Sequence, residues 1–586
     1  MKKALIFLMI AFMLTCMFAC SKGEAPGTPT ELASPQESVT AAPIESNRPI
    51  TTEQPLPTDD ESPYKLAEGK YETDENGVPK DYYTYELPLS TTDEVFTYTW
   101  LCMVPNYIPE EGYESMEFPQ EVKKTLGVNI EYNVVTFVNA RENFSARLAA
   151  DDLCDLTFSA HWYYPGSKLE AIDDGYFANL YDYKQYMPNY YRAAHMYPDD
   201  VNVLGQIMPR EGTIPAFYAI YADPMRQNGP AVRGDWLRKV GLTQKDIVTI
   251  DQYEDMLRLF KTEIGCPSPY LLLSLYDAHA IFACYDTHAY GILQIKCVRD
   301  GKVSFAMTAE QDKHYLTTIN EWWNEGLILK DYLAIDSNPK GLSQITTGQV
   351  GALGMIPSEK LDFEKLSDDP DMDWVPLANP VLYEGQTIHL ALRVKTFADG
   401  SWWISTKCDN IPLLMTYCDY FYSSDGIMLG NYGVNGFTSN YDENGEIKFA
   451  DWIVNHPAGF SNSLHIYCLS ELVDGGFKLQ SRSYAFEGGG KIKAFLDFWA
   501  DDEFYHYDGA MEYPSSIVLT AEQSAKFAQY KPDVATYLSE TIPLFIDGSK
   551  SLDEWDSYVA QLREIGLNEC ESCYQEAYDA FIASMK

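Results

Sequence analysis

The residues of this chain best suited to chemistry are paired aromatics and one Arg–Asp–Trp cluster. Trp162-Tyr163, Trp322-Trp323 and Trp402-Trp403 each set two rings side by side. Flat aromatic faces accept the apolar C–H faces of sugar rings, while nearby carboxylates and amides pair the hydroxyls. Trp322-Trp323 sits in a helical run with Ile319 and Leu327, so packing is the reading there. Trp162-Tyr163 follows a β-like run from Leu153 to Ala160, and Trp402-Trp403 follows Gly400-Ser401. Arg233 offers a planar fork of donors for ring hydroxyls or for a carboxylate such as a uronic acid presents. Asp235 and Trp236 beside it read equally as site residues or as a helix cap and a buried aromatic. The candidate ligand contacts are therefore Trp162, Tyr163, Arg233, Asp235, Trp236, Trp402 and Trp403.

Local signatures of catalysis do not hold. Gly488-Gly489-Gly490-Lys491 is followed by Ile492 and lacks the leading glycine of a phosphate loop. Gly430, Gly433 and Gly436 have the wrong spacing for a dinucleotide turn, and no Gly-x-Ser-x-Gly elbow or His-Glu-x-x-His occurs. The histidines are scattered, and Asp442 and Asn444 have Gly445 too early for a calcium loop. Cys570-Glu571-Ser572-Cys573 has redox spacing but no βαβ context. The expectation is a binding protein with no cofactor and no metal. Glycosidase carboxylates pair in space and not in sequence, so a surface glycan hydrolase stands as the alternative, beside a glycan-binding adhesion or sensor protein.

The amino terminus sets the location. Lys2 and Lys3 precede an apolar run from Ala4 to Phe18, and Ala19-Cys20-Ser21 follows. That is a secretory signal with a small residue before its cleavage point. Met17-Phe18-Ala19-Cys20 resembles a bacterial lipobox, which implies removal of residues 1–19 and lipidation of Cys20. The apolar run is shorter than the roughly 20 residues that cross a bilayer. Pro, Thr, Ser and Glu dominate the stretch after Cys20, so residues 20–92 are expected to form a disordered tether.

The elements that must position the aromatics come next. Val95–Trp100 reads as a strand, Met116–Leu126 as a helix closed by Gly127, Val128–Val134 as a strand, and Asn139–Ala150 as a capped helix. Strand, helix, strand, helix, strand marks an α/β lobe with a mostly parallel sheet, whose ligands bind beyond the carboxyl ends of the strands. That places His161, Trp162 and Tyr163 at a cleft. Thr249 and Gln252 form a capping box, as do Ser551 and Glu554, and Asn444-Gly445 reads as a type I′ hairpin turn. The 586 residues exceed one core, so at least two lobes are expected. The 43 basic and 86 acidic residues leave a net charge of −43, spread along the chain, which disfavours nucleic acid and anionic membrane as partners.

Several segments carry a resemblance. Val232-Arg233-Gly234-Asp235-Trp236-Leu237-Arg238-Lys239-Val240-Gly241-Leu242, Tyr420 to Gly426, Asn431 to Gly436, and Gly548 to Val559 resemble, in order and spacing, blocks of extracellular solute-binding protein family 1. These are Gram-positive lipoprotein receptors of ABC sugar importers. Asp151-Asp152-Leu153-Cys154-Asp155 departs from the family's "sGDlPD". The resemblance implies a two-lobed, periplasmic-binding-protein-like α/β fold with hinge crossings (type II). It implies residues 93–222 with 348–406 as the first lobe and 223–347 with 407–586 as the second. It further implies a carbohydrate ligand, permease subunits as partners, a lipid anchor on the outer face of the membrane, and a monomer.

Overall fold

Val95–Leu101 (β1) is dense in β-branched and aromatic residues and buries almost its whole length. It runs parallel to Asn129–Val135 (β2) on one side and to Leu156–Phe158 (β3) on the other. The computed structural model describes residues 62–584 except 198–200, 224–227, 273–279, 289–295, 305, 331, 333–339, 391–395, 471–472, 502–505 and 515–516. Cys20, the signal segment and the first part of the tether lie outside the described residues. The other strands are Phe217–Tyr221 (β4), Gly229–Arg233 (β5), Cys297–Arg299 (β6), Lys302–Ser304 (β7), Ala352–Met355 (β8), Trp374–Pro376 (β9), Phe397–Ile404 (β10), Ser439–Tyr441 (β11), Ile447–Phe449 (β12) and Phe477–Lys478 (β13).

The architecture is α/β and two-lobed. A six-stranded sheet has the order β13-β4-β10-β3-β1-β2, with β10 antiparallel to both neighbours. A core from Phe96 and Trp100 to Tyr422 and Phe477 surrounds it. A second sheet has the order β8-β5-β9. Its cores include Trp236, Phe260, Trp322, Trp374, Trp499 and Trp555.

Helix Glu117–Leu126 ends at Gly127, as its sequence indicates. Gly127 has φ 68°, and a Cβ there would lie 2.0 Å from the Ser90 carbonyl oxygen. The Thr249 capping box forms at helix Ile250–Leu259. Trp322 is buried in helix Glu310–Asn324, as the packing reading requires.

Other expectations need correction. Residues 62–92 are not tether: Ala67 and Leu89 are fully buried in the first core, and the amides of Leu89 and Ser90 donate to the Leu126 carbonyl. The lobe boundaries interleave more finely than proposed. β8 and β9 pair with β5 in the second sheet, so only the β10 end of residues 348–406 belongs to the first. Helix Ile411–Tyr420 and β13 join the first core, within a stretch assigned to the second lobe. The Asn444-Gly445 turn is a five-residue loop between β11 and β12, because Asp442 Oδ1 accepts from the amides of Asn444 and Glu446. Only Gly445 there takes positive φ, 78°. Ser551 caps a 3₁₀ turn by accepting from the Asp553 amide at 3.2 Å, in place of a capping box with Glu554.

Candidate functional site

Beyond the carboxyl end of β3 the chain leaves the sheet abruptly. Ser159 takes φ 32°, an unusual value for a residue with a side chain, and its amide donates to the Ser401 carbonyl at 2.8 Å. On its other side, β10 shifts register against β4 between Ala398 and Ser401. The distortion starts a 3₁₀ turn, Ala160–Trp162, that gathers rings. His161 stacks on Trp403 at 5.8 Å and 25°. Trp162 and Tyr163 meet edge-on at 6.4 Å, both half-buried, and both rest against Phe158. Burial, then the nearby Lys168 ammonium, holds His161 down to about 3, so its ring is neutral at physiological pH. Its Nδ1 is shielded from solvent and makes no hydrogen bond among the described residues.

The next helix, Lys168–Asp173, begins with a reciprocal Ser167–Glu170 capping box. Ser167, Leu169 and Glu170, with Pro209, form one wall of a cavity of about 430 Å³. Ile517–Thr520, Ala577, Ala580 and Phe581 form the opposite wall. The volume suits a small ligand or one part of a longer one.

A second ring cluster lies beyond β1. Tyr113, Trp100 and His465 form a buried three-ring stack, at 4.1 Å with 14° and 4.9 Å with 12°. The Met103 amide donates to His465 Nε2 at 3.3 Å. Outward of this stack, Tyr107 meets His456 at 5.0 Å, Trp452 meets Tyr467 and Phe437 at 5.0 Å each, and His456 meets Tyr467 at 5.9 Å. Tyr107, Phe437 and Trp452 are each 38% exposed, enough to present a ring face to solvent. The Trp452 indole N–H donates to the Phe437 carbonyl at 3.0 Å, which fixes the ring's orientation. Sequence reading missed this cluster because its members come from three separate segments; a strand end at Leu101 followed by an exposed Tyr107 was the only local signal.

The candidate contacts divide into two groups. Trp162, Tyr163 and Trp403 come together with His161 in the first lobe. Trp402 and Trp403, however, lie on the central strand β10 at 2% and 0% exposure and offer no face to a ligand. The Trp402 indole donates to the Tyr98 hydroxyl at 3.0 Å and to Asp474 at 3.3 Å, and that of Trp403 to the Ser401 hydroxyl at 3.1 Å. Arg233, Asp235 and Trp236 come together in the second lobe, all buried. Arg233 makes a bidentate pair with Asp235 (2.6 and 2.8 Å) and a 2.7 Å bond to Asp369, and stacks on Trp236 at 4.7 Å. Its fork is thus occupied by carboxylates of the chain itself.

One further cluster escaped the sequence reading. Cys297 Sγ lies 3.0 Å from His288 Nε2, and His288 Nδ1 lies 3.4 Å from Asp312. All three are buried. Their arrangement is that of a thiolate–imidazolium pair oriented by a carboxylate, closed to solvent. The ten described cysteines are all unpaired and buried, Cys570 and Cys573 among them. Among the described residues no group of three or more His, Cys, Asp or Glu side chains is placed to hold a metal ion. No helix among them is long and apolar enough to cross a membrane.

No protein-family model matches the chain, nor does any curated protein. Solved structures do share its fold. An extracellular solute-binding protein from Bifidobacterium longum subsp. infantis superposes with TM-score 0.67 at 17% identity, covering 84% of this chain and 99% of that one. An HMO-binding, ABC-transporter-associated solute-binding protein from Bifidobacterium longum infantis gives TM-score 0.65 at 17% identity, covering 83% and 99%. The calcium-free alginate-binding protein AlgQ2 gives 0.60 at 19%, again covering 83% and 99%. At these identities the likeness is one of fold.

Proposed function

We propose that this chain is a receptor that captures an oligosaccharide or related glycan fragment outside the cell and passes it to the permease of an ABC importer. In this reading it is a member of extracellular solute-binding protein family 1, anchored to a Gram-positive membrane through lipidated Cys20, and acts as a monomer without catalysis. The observation that carries the reading is the pair of aromatic clusters beyond the carboxyl ends of the neighbouring strands β1 and β3, where α/β sheets bind ligands. Rings held in place before the ligand arrives bind without a further ordering cost. The fold agrees, since the solved structures that share it include an HMO-binding and an alginate-binding protein. In this reading Trp162, Tyr163, Tyr107 and Trp452 stack on sugar faces, whereas Arg233, Asp235, Trp236, Trp402 and Trp403 support the lobes.

A thermal-shift screen against glycan fragments tests it, because a ligand that binds only the folded chain raises its melting temperature. Calorimetry on a positive fragment is then expected to show Trp452→Ala and Trp162→Ala weakening binding by about 1 to 3 kcal/mol each. Unchanged affinity in both variants removes the two clusters from the site, and release of cleaved product from the fragment makes the chain a hydrolase.

A further inference from the structure

Cys297 has surroundings unlike those of the other cysteines. All ten described cysteines are buried and unpaired, and burial raises the thiols of Cys284, Cys408, Cys418 and Cys468. At Cys297 the neighbours outweigh burial. His288 Nε2 lies 3.2 Å from the Ser304 carbonyl oxygen, which only accepts, so this nitrogen carries a hydrogen. The same N–H faces Cys297 Sγ at 3.0 Å. The Ser304 hydroxyl accepts from Arg299 Nη1 at 3.4 Å and lies 3.4 Å from the sulfur, which leaves its own hydrogen for that contact. Two donors thus face the sulfur, the setting of a thiolate.

Charge balance agrees. Asp312 accepts from the Thr287 hydroxyl and from the amides of His288, Thr308 and Ala309, and lies 3.4 Å from His288 Nδ1. Glu571, a second carboxylate within reach of His288, pairs with Arg563 at 3.0 Å. Asp312 alone leaves the two cations His288 and Arg299 one negative charge short, and a thiolate supplies it.

The sulfur is sealed by a small element. β6 and β7 form a two-stranded ribbon of three residues a side, apart from both larger sheets. It is held from outside by the Val298 amide on the Met511 carbonyl at 2.8 Å and by the Gln575 side chain on Val303 and Gly301 at 2.8 and 3.0 Å. A ribbon this short is marginal by itself and opens locally well before the whole chain unfolds. Brief opening of so small a seal admits a water-sized reagent and turns away a bulky one.

We propose that Cys297 is a site of oxidation by hydrogen peroxide, with His288 as the acid that completes the step. The sulfur attacks one peroxide oxygen, and the S–O bond forms as the O–O bond breaks. The departing oxygen takes the Nε2 proton and leaves as water. Thiolate, imidazolium and peroxide become sulfenic acid, neutral imidazole and water; sulfur loses two electrons and the peroxide gains them.

The experiment treats the full chain with hydrogen peroxide, traps sulfenic acid with dimedone and follows each cysteine by peptide mass spectrometry. Cys297 is expected to be labelled at least about ten-fold faster than each of the other nine described cysteines, which share its burial. From about pH 7 to about pH 8 its rate should change by less than about two-fold, whereas an ordinary thiol gains roughly eight-fold in thiolate. His288→Gln keeps a donor but has no proton to give, so it is expected to lose the lead and to restore the ordinary climb with pH. A smaller lead in the parent chain, a rate that climbs with pH as an ordinary thiol does, or a His288→Gln variant that keeps the lead overturns the proposal. Should all ten cysteines of the variant speed up together, the variant has unfolded, and the lead and pH profile of the parent chain decide.

Discussion

The pair of Cys297 and His288 shows how two side chains behave as one group when burial forces a shared proton. Burial by itself lowers His288, but Asp312 and then Cys297 outweigh it, so His288 titrates above its usual 6.5. Burial likewise raises Cys297, and the His288 contact outweighs that, so the thiol titrates below its usual 9.0. Asp312 stays ionised because His288 and the amides of His288, Thr308 and Ala309 all favour its charge. Arg299 and Glu571 are the other charged groups nearby. Folded, the pair keeps the His288 proton up to about pH 10. Unfolded, it holds two below pH 6.5, one from 6.5 to 9.0, and none above. Stability therefore falls as pH rises from 9.0 to about 10, where the folded pair still holds the His288 proton and the unfolded chain holds none. Cys297→Ala, which leaves the buried imidazolium without its thiolate, is expected to cost about 3 kcal/mol. Denaturant titrations across pH check this: the cost should shrink as pH rises from 9.0 through about 10, where His288 gives up its proton. A cost independent of pH would show a neutral thiol and imidazole instead.

Among the elements, the segment from residue 62 to 92 is a strap on the first lobe. Asp419, fully buried on helix Ile411–Tyr420, receives the Tyr85 hydroxyl at 2.6 Å, the Tyr190 amide at 2.6 Å and the Asn189 side-chain amide at 3.0 Å. Asn189 in turn exchanges bonds with the Tyr83 backbone at 2.8 and 3.1 Å. One carboxylate thus joins the strap, helix Pro188–Ala194 and helix Ile411–Tyr420. Asp419→Ala strands several buried donors, each worth about 1 to 3 kcal/mol, so the strap is expected to loosen first. Hydrogen exchange reads this out: amides of residues 64–90 should lose protection before those of β1. Equal loss in both would make Asp419 a general core residue.

Such links mark where sequence reading ends. β1, β2, the Gly127 helix stop and the Thr249 cap are legible because period, propensity and capping act within a dozen residues. The strap is not, since its tyrosines find burial only against residues more than a hundred positions away. Trp402-Trp403 misleads for a related reason. Gly400-Ser401 before it reads as a loop, yet the segment is one of the two middle strands of six and is covered on both faces. Of the candidate site, Trp162 and Tyr163 were legible from the strand end before them. The Tyr107–Trp452 cluster was not, because no local pattern joins residues 107, 437, 452 and 456.

At the scale of the whole molecule, the chain passes between the two sheets after Tyr221, before Phe397 and after Lys478. Asp223 ties the first of these passages to the last: its carboxylate accepts from the amides of Gln480 and Ser481 at 2.7 and 2.9 Å. Separate cores joined by a few bridging segments form the geometry of hinge closure, in which terminal residues of elements absorb the rotation. A ligand that stacks on the first lobe and touches the second favours the closed form, and only by the difference between its affinities for the two forms. The wall residues Ile517–Thr520 and Phe581, across the cavity from Ser167–Glu170, are where such second-lobe contacts would arise. Small-angle scattering on the full chain is therefore expected to show a smaller radius of gyration when a binding glycan is added, with the glycan recovered intact. Asp223→Ala frees the two amides at the passage, so it should shift the unliganded radius while leaving the stacking residues in place. A radius unchanged by saturating ligand would mean that the lobes are already fixed against each other, and that recognition by a permease would have to read the bound glycan without lobe closure.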